Sequence, residues 1–282
     1  MRIPTAIQID LRKSAVTFLG NQLNCSRNEV SMLESIHKDI HLLGNTWKNI
    51  LANQHGLPVQ LSISSYFIHQ TPQVSYTGIQ RRKRIEFGDV LYIYKEMDKQ
   101  QIIRENALLL QAKLWSQNAV DKAQLQLYLS WPTFWYTTAN IHNKHFNVDS
   151  QPYAHPGARY LFLDNSHSNR HFASTGTPLH GLKANQHDAY LETDLVDLLQ
   201  FKCGKELHGD WGEAIKALQK HVSERKPSYH RVSRENQLMY LETAATSLFN
   251  PNEELNMGDS RGFWLVTIRS WPSSIEELPE DF

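Results

Sequence analysis

The chain has 282 residues, with 29 basic and 29 acidic side chains, so its formal net charge is zero and its pI is about 7.3. At about 150 residues per domain this length suits two domains or one large one with additions, and 40% hydrophobic against 21% charged residues excludes a largely disordered chain. The neutral balance excludes a whole-molecule basic field for nucleic acid; two cysteines, Cys25 and Cys203, exclude a disulfide scaffold and a CxxC zinc site.

No apolar run approaches the ~18 residues of a membrane span, and Met-Arg-Ile-Pro-Thr lacks a signal pattern, so a cytoplasmic setting without membrane contact is expected. From Ser26 the pattern is helical. Ser26 is placed to cap, Glu29 follows three residues later as in a capping box, and Val30, Leu33, Ile36, Ile40 and Leu43 recur at helical spacing. This helix is expected to break near Gly44 or to run past Trp47 to Gly56. Leu57 to Ile68 alternates as a strand with one buried face. After polar His69 to Arg84 come two segments apolar on both faces, EFGDVLYIY (86–94) and NALLLQAKLW (106–115), which read as central buried strands. The charged KEMDKQQIIRE between them reads as a hairpin loop or short helix. Asp121 to Leu129 reads as helix, and the Pro156-Gly157 turn leads to a fourth strand at Tyr160 to Leu163. The chain is then polar and His-rich to about Asp188. Helices are expected at Glu192 to Lys202 and, capped by Asp210, at Asp210 to Val222, and a late strand within Arg261 to Trp271. The class is α/β with an antiparallel start.

A charge inside an apolar strand is costly unless it is paired or binds a metal. Two adjacent predicted strands carry one each: Asp89 in FGDVLYIY and Lys113 in LLLQAKLW. By strand alternation Gln111 and Lys113 share the face of Leu109, and Asp89 shares that of Phe87, Leu91 and Ile93. If the strands are neighbours, Asp89, Gln111 and Lys113 can meet on one face.

An Asp followed by a strand ending in Gln-Ala-Lys resembles the PD-(D/E)xK nuclease superfamily in its Gln-x-Lys, Mrr-like form. The order helix, three strands, helix, strand is similar to that superfamily's core, over roughly residues 26 to 165. Gly88 stands where the family has Pro, and Gln111 where most members have a carboxylate. The resemblance implies a restriction-endonuclease-like domain over 1–189. Residues 190–282 would be a C-terminal α/β extension packed on it, a partner or oligomer contact. It implies a metal-dependent DNA endonuclease, as in bacterial restriction or anti-phage defence, with DNA and a second copy or a defence-system protein as partners. The implied catalytic set is Glu29, Asp89, Gln111 and Lys113, with Glu34 the second choice for the helix carboxylate. Asp89, the Gln111 side-chain carbonyl and the Ala112 backbone carbonyl would hold Mg2+ or Mn2+, a hard cation that takes oxygen ligands. Gln124 and Tyr128 are similar to the Gln-xxx-Tyr motif of RecB-type nucleases. Arg81, Arg82, Lys83 and Arg84 would hold the DNA backbone, with Arg225, Lys226, Arg231 and Arg234 as a second basic cluster.

Competing accounts are plain. Asp89 and Lys113 can be a buried ion pair, and the chain a binding module that keeps the fold without turnover. Seven of the 14 histidines fall between His142 and His187, and His142-x-x-His145 and His167-x-x-x-His171 have spacings zinc tolerates, but a polar surface segment accounts for them better. Trp131 to Tyr136 reads as core or interface packing, with base stacking the alternative. Phosphate-binding GxxxxGK[ST], GxGxxG and GxSxG motifs are absent.

Overall fold

The computed structural model describes residues 1–23, 28–69, 71–79, 84–99, 101–115, 121–138, 141, 144–148, 156–164, 173–176, 189–224, 229–232 and 262–273. The first helix, α1 (Thr5–Leu23), buries Ile7, Leu11, Ala15, Leu19 and Leu23 along one stripe, a periodicity unused in the expectations above. Next, α2 (Glu29–Lys38) is capped by Asn28, whose side chain accepts from the Ser31 amide at 2.8 Å while the Ser31 hydroxyl receives the Asn28 N–H. The capping box is therefore Asn28 with Ser31 rather than Ser26 with Glu29; Ser26 lies outside the described residues. The helical path is interrupted at Asp39, not at Gly44, which lies within α3 (Ile40–Asn49). A π-helical turn (Ile50–Gln54) extends it, and Gly56 (φ 62°) ends it in a left-handed conformation. The Trp47 indole N–H lies 3.1 Å from both the Leu11 carbonyl and the Ser14 hydroxyl, which ties α3 to α1.

The strands follow: β1 (Val59–Ile68), β2 (Gln73–Tyr76), β3 (Ile85–Glu86), β4 (Val90–Asp98), β5 (Gln101–Leu114), β6 (Phe134–Tyr136), β7 (Ala158–Leu163), β8 (Ala173–Gly176), β9 (Ala189–Tyr190), β10 (Lys205–Glu206), β11 (Tyr229–Val232) and β12 (Phe263–Pro272). The remaining helices are α4 (Lys122–Ser130), α5 (Leu191–Leu198) and α6 (Gly209–Glu224), so Asp210 lies in the first turn of α6 rather than before it. KEMDKQQIIRE is neither loop nor helix. It forms the two arms of a long β4–β5 hairpin, paired from Val90↔Leu110 to Asp98↔Gln101 with a tight turn at Lys99, whose φ is 45°. The 22-residue spacing from Asp89 to Gln111 is thus ordinary hairpin length.

Among the described residues the large sheet has nine strands, ordered β11-β1-β12-β4-β5-β7-β8-β9, with β10 also on β5. It is mixed: β4–β5 and β1–β12 are antiparallel, while β5–β7 and β12–β4 are parallel. The late strand β12 lies inside the sheet, between β1 and β4. Helix α4 occurs in the crossover from β5 to parallel β7. One face packs Val90, Tyr92, Tyr94, Leu108, Leu110 and Ala112 against α1, α2, α3 and α5. The other packs Leu91, Ile93, Leu109 and Tyr160 against α4, α6 and a small sheet, β3-β2-β6. Among the described residues no helix is long and apolar enough to cross a membrane.

Candidate active site

The site lies where β4 begins and β5 ends. Asp89 immediately precedes β4; its N–H donates to the Leu110 carbonyl at 2.9 Å and its carbonyl accepts from Trp264 at 2.9 Å, so the backbone is held by strands on both sides. Past Leu110, β5 continues without a β4 partner. The Asp89 side chain takes over that edge: its Oδ2 accepts from the Ala112 N–H at 2.7 Å and from the Gln111 side-chain amide. Among the described residues no donor reaches Oδ1. The N–H and C=O of one strand residue point the same way, so the Ala112 carbonyl opens on the side of Asp89.

Helix α4 locks this arrangement from above. Its cap, Asp121, accepts from Ala123 (2.7 Å) and Gln124 (3.2 Å). The Gln124 amide then donates to the Glu86 carbonyl at 3.0 Å and to the Gln111 side-chain oxygen. One turn on, the Tyr128 hydroxyl donates to the Phe87 carbonyl at 2.7 Å. Both residues of the Gln-xxx-Tyr pair therefore grip the segment that delivers Asp89. Gly88 packs closely there: a Cβ would stand 2.7 Å from Leu109 Cδ1 and 3.1 Å from the Tyr128 hydroxyl, so a larger residue would shift the Leu109 side chain.

Asp89 is 8% exposed. Burial raises its pKa to about 8; the Glu86 carboxylate adds to this, Lys113 opposes it, Glu29 adds again, and the Ala112 N–H opposes it. Those influences bring Glu29, Glu86 and Lys113 to one place around Asp89. Lys113 is half-buried yet makes no ion pair or hydrogen bond among the described residues, so the Asp89–Lys113 salt bridge does not form. Of the two helix carboxylates, Glu29 is the one in electrostatic reach of Asp89.

Two neighbours were not foreseen. Glu86 ends β3 in the small sheet and approaches Asp89 only because Phe87 and Gly88 carry the chain from one sheet to the other, which no period within a strand signals. Tyr160 pairs with Gln111 across β5 and β7 and packs 5.5 Å from the Tyr128 ring; its buried hydroxyl has no hydrogen-bond partner among the described residues. Strand alternation would have placed Tyr160 here had the β5–β7 register been known.

Among the described residues no three His, Cys, Asp or Glu side chains gather closely enough to hold a metal ion. The oxygens that could serve a hard cation are fewer: Asp89 Oδ1 and the Ala112 carbonyl, with Glu29 in electrostatic reach of Asp89. Gln111 does not present its oxygen to that spot, since this atom faces Gln124 and the nitrogen faces Asp89. Arg84 is exposed just before β3, whereas Arg81, Arg82 and Lys83 lie outside the described residues. So do Arg225, Lys226, Arg234 and the side chain of Arg231, and so do His142, His155, His167, His171, His180 and His187. Comparison of the chain with protein-family models, with curated proteins and with solved structures finds no match.

Proposed function

We propose that the chain is a metal-dependent endonuclease that hydrolyses DNA phosphodiester bonds, built on a core like that of the PD-(D/E)xK superfamily. The observation that carries this is Lys113, an ammonium with no ion-pair partner among the described residues, in electrostatic reach of the buried Asp89. A structural pair would have closed; this one is held apart with Glu29 and Glu86 around it. Read past α3 and the short strands β2, β3 and β6, the order α2, β1, β4, β5, α4, β7 and the parallel β5–β7 crossover support the same core, with β12 inserted between β1 and β4.

In this reading Asp89, the Ala112 carbonyl and Glu29 would hold Mg2+ or Mn2+. A divalent cation bound there supplies Lewis-acid polarisation of the phosphate. Lys113 orients the attacking water and balances the charge that grows on the phosphate oxygens as the leaving oxygen departs. Gln111, fixed by Gln124, holds Asp89 in place. Arg84 and the basic residues before it bind the phosphate backbone. A role as effector nuclease in bacterial restriction or anti-phage defence, in the cytoplasm and with a partner or second copy, follows from the resemblance.

One observation favours the second reading, a binding module without turnover: the Gln111 amide offers Asp89 a donor rather than offering a cation a ligand. The test is cleavage of plasmid DNA by the wild-type protein and by Lys113→Ala, with Mg2+ and with EDTA. Mg2+-dependent cleavage lost in the variant supports the nuclease; tight DNA binding without cleavage under any metal supports the module.

A further inference from the structure

A cavity of about 640 Å³ opens between the start of α1, the β4–β5 hairpin and the turn after α5, and every residue lining it is described. That volume is within the range of small-molecule sites. Its cations come from three separate segments: Arg2 ahead of α1, Arg104 on β5 and Lys202 beyond α5. Its one carboxylate, Glu96, lies opposite Arg104 across the hairpin and is paired with the Met1 ammonium at 2.8 Å. Arg104 meets Glu206 just outside the cavity. With those two pairs made, Arg2 and Lys202 are left unbalanced, and neither has a hydrogen-bond or ion-pair partner among the described residues. Arg104 is held in place. Its guanidinium carbon stands 3.8 Å over the centroid of the Phe201 ring and its Nη2 donates to Glu206, while Nε and Nη1 have no partner among the described residues. Phe201 itself has a φ of 59°, a left-handed conformation that glycine takes freely and a bulky residue rarely adopts. This strained turn puts an aromatic ring under the guanidinium, where a cation–π contact fixes it at the cavity wall.

We propose that this cavity binds a small molecule carrying two or more phosphate charges, held between Arg2, Lys202 and the open edge of the Arg104 guanidinium. A guanidinium with free N–H groups and a fixed plane is suited to oxyanions. Donors that converge from three segments match the three terminal oxygens of a phosphate better than the two coplanar oxygens of a carboxylate. Two unbalanced cations call for more than one negative charge, and the volume admits more than a single phosphate. The site is separate from the candidate active site: Glu96 stands seven residues along the strand from Asp89, roughly 23 Å away. The inference therefore does not depend on the nuclease reading.

The experiment is isothermal titration calorimetry of the whole chain in EDTA, with inorganic phosphate, pyrophosphate, ATP and citrate as probes. EDTA keeps a metal-held phosphate at Asp89 out of the reading. Pyrophosphate and ATP should bind saturably at one site, more tightly than inorganic phosphate or citrate. ATP binding more tightly than pyrophosphate supports an organic phosphate as the ligand, and equal affinities support the polyphosphate group alone. The double variant Arg2→Ala with Lys202→Ala changes only exposed side chains and should melt as the wild type does, yet bind about tenfold or more weakly. Arg104→Ala breaks only an exposed ion pair and should weaken binding to a similar extent. Absence of saturable pyrophosphate or ATP binding up to about 1 mM would overturn the proposal. So would citrate binding as tightly as pyrophosphate, or affinities unchanged in both normally melting variants.

Discussion

Two of the buried aspartates, Asp89 just before β4 and Asp194 on α5, are held in opposite ways. Asp194, on α5, is held by the Arg159 guanidinium at 3.0 and 3.1 Å and by the Thr175 hydroxyl at 2.5 Å. Among the described residues Asp89 receives only an amide and a backbone N–H, while Lys113 acts on it electrostatically without forming an ion pair. Burial raises both pKa values, and at Asp194 the guanidinium, the Thr175 hydroxyl and the Cys203 thiol all pull against it. A completed set of partners marks a carboxylate used to tie α5 to β7 and β8. An incomplete one leaves a carboxylate whose electrostatic demand something else must meet.

The largest expected effect belongs to Asp89. Its folded pKa, about 8, lies above the unfolded value near 4, so the protonated form favours the fold. That contribution is complete below about pH 4 and is lost as the pH climbs through about 8. In EDTA the wild-type protein should lose stability over this window by up to about 1.4 kcal/mol per pH unit. Asp89→Asn should flatten that dependence, remain folded at alkaline pH and lose cleavage entirely. Melting curves from pH 4 to 9 with a plasmid assay read both; a steep pH dependence surviving in the variant would assign the effect elsewhere.

Arg159→Ala should be the converse. It strands the Asp194 carboxylate, at a cost of about 3–5 kcal/mol by denaturant unfolding, and any change in cleavage should follow from that loss of fold. If Arg159→Ala proves stable, the contrast between the two aspartates collapses. Lys113→Ala comes next. With no ion pair to break among the described residues, its melting temperature should move little, while on the nuclease reading single-turnover cleavage falls at least about a hundredfold, because the ammonium would act mainly in the transition state. A large stability loss without a defect in the chemical step would make Lys113 structural after all.

The sequence was informative where the chemistry repeats locally. Asp89, Gln111 and Lys113 fall on one face by alternation; Asp89 and Gln111 meet there in a hydrogen bond, while Lys113 is in electrostatic reach of Asp89 without contact. Gln124 and Tyr128 were visible as one helical turn, and both touch the Asp89 segment. What stayed hidden depends on long-range register. β12 enters between β1 and β4 from the far end of the chain, so its neighbours are not its sequence neighbours. Glu86 reaches Asp89 through a crossing between sheets, and α1 went unseen because its buried stripe is interleaved with Gln, Arg, Lys and Asn that face solvent.

The smallest effect expected is at Tyr160, and it tests how far the incomplete solution at Asp89 spreads. Tyr160 stands beside Gln111, its ring against Tyr128, and its hydroxyl is buried with no hydrogen-bond partner among the described residues. Such a group carries a desolvation cost that no bond offsets, so removing it should stabilise the protein by about 1 kcal/mol. The ring itself must stay, since it fills the space between Tyr128 and Phe162. Tyr160→Phe is therefore the informative change, and Tyr160→Ala would only report a cavity. Equilibrium unfolding should show the Phe variant at least as stable as the wild type. A clear loss would show that the hydroxyl has a partner in solution, and the polar network around Asp89 would then reach across β5 to β7.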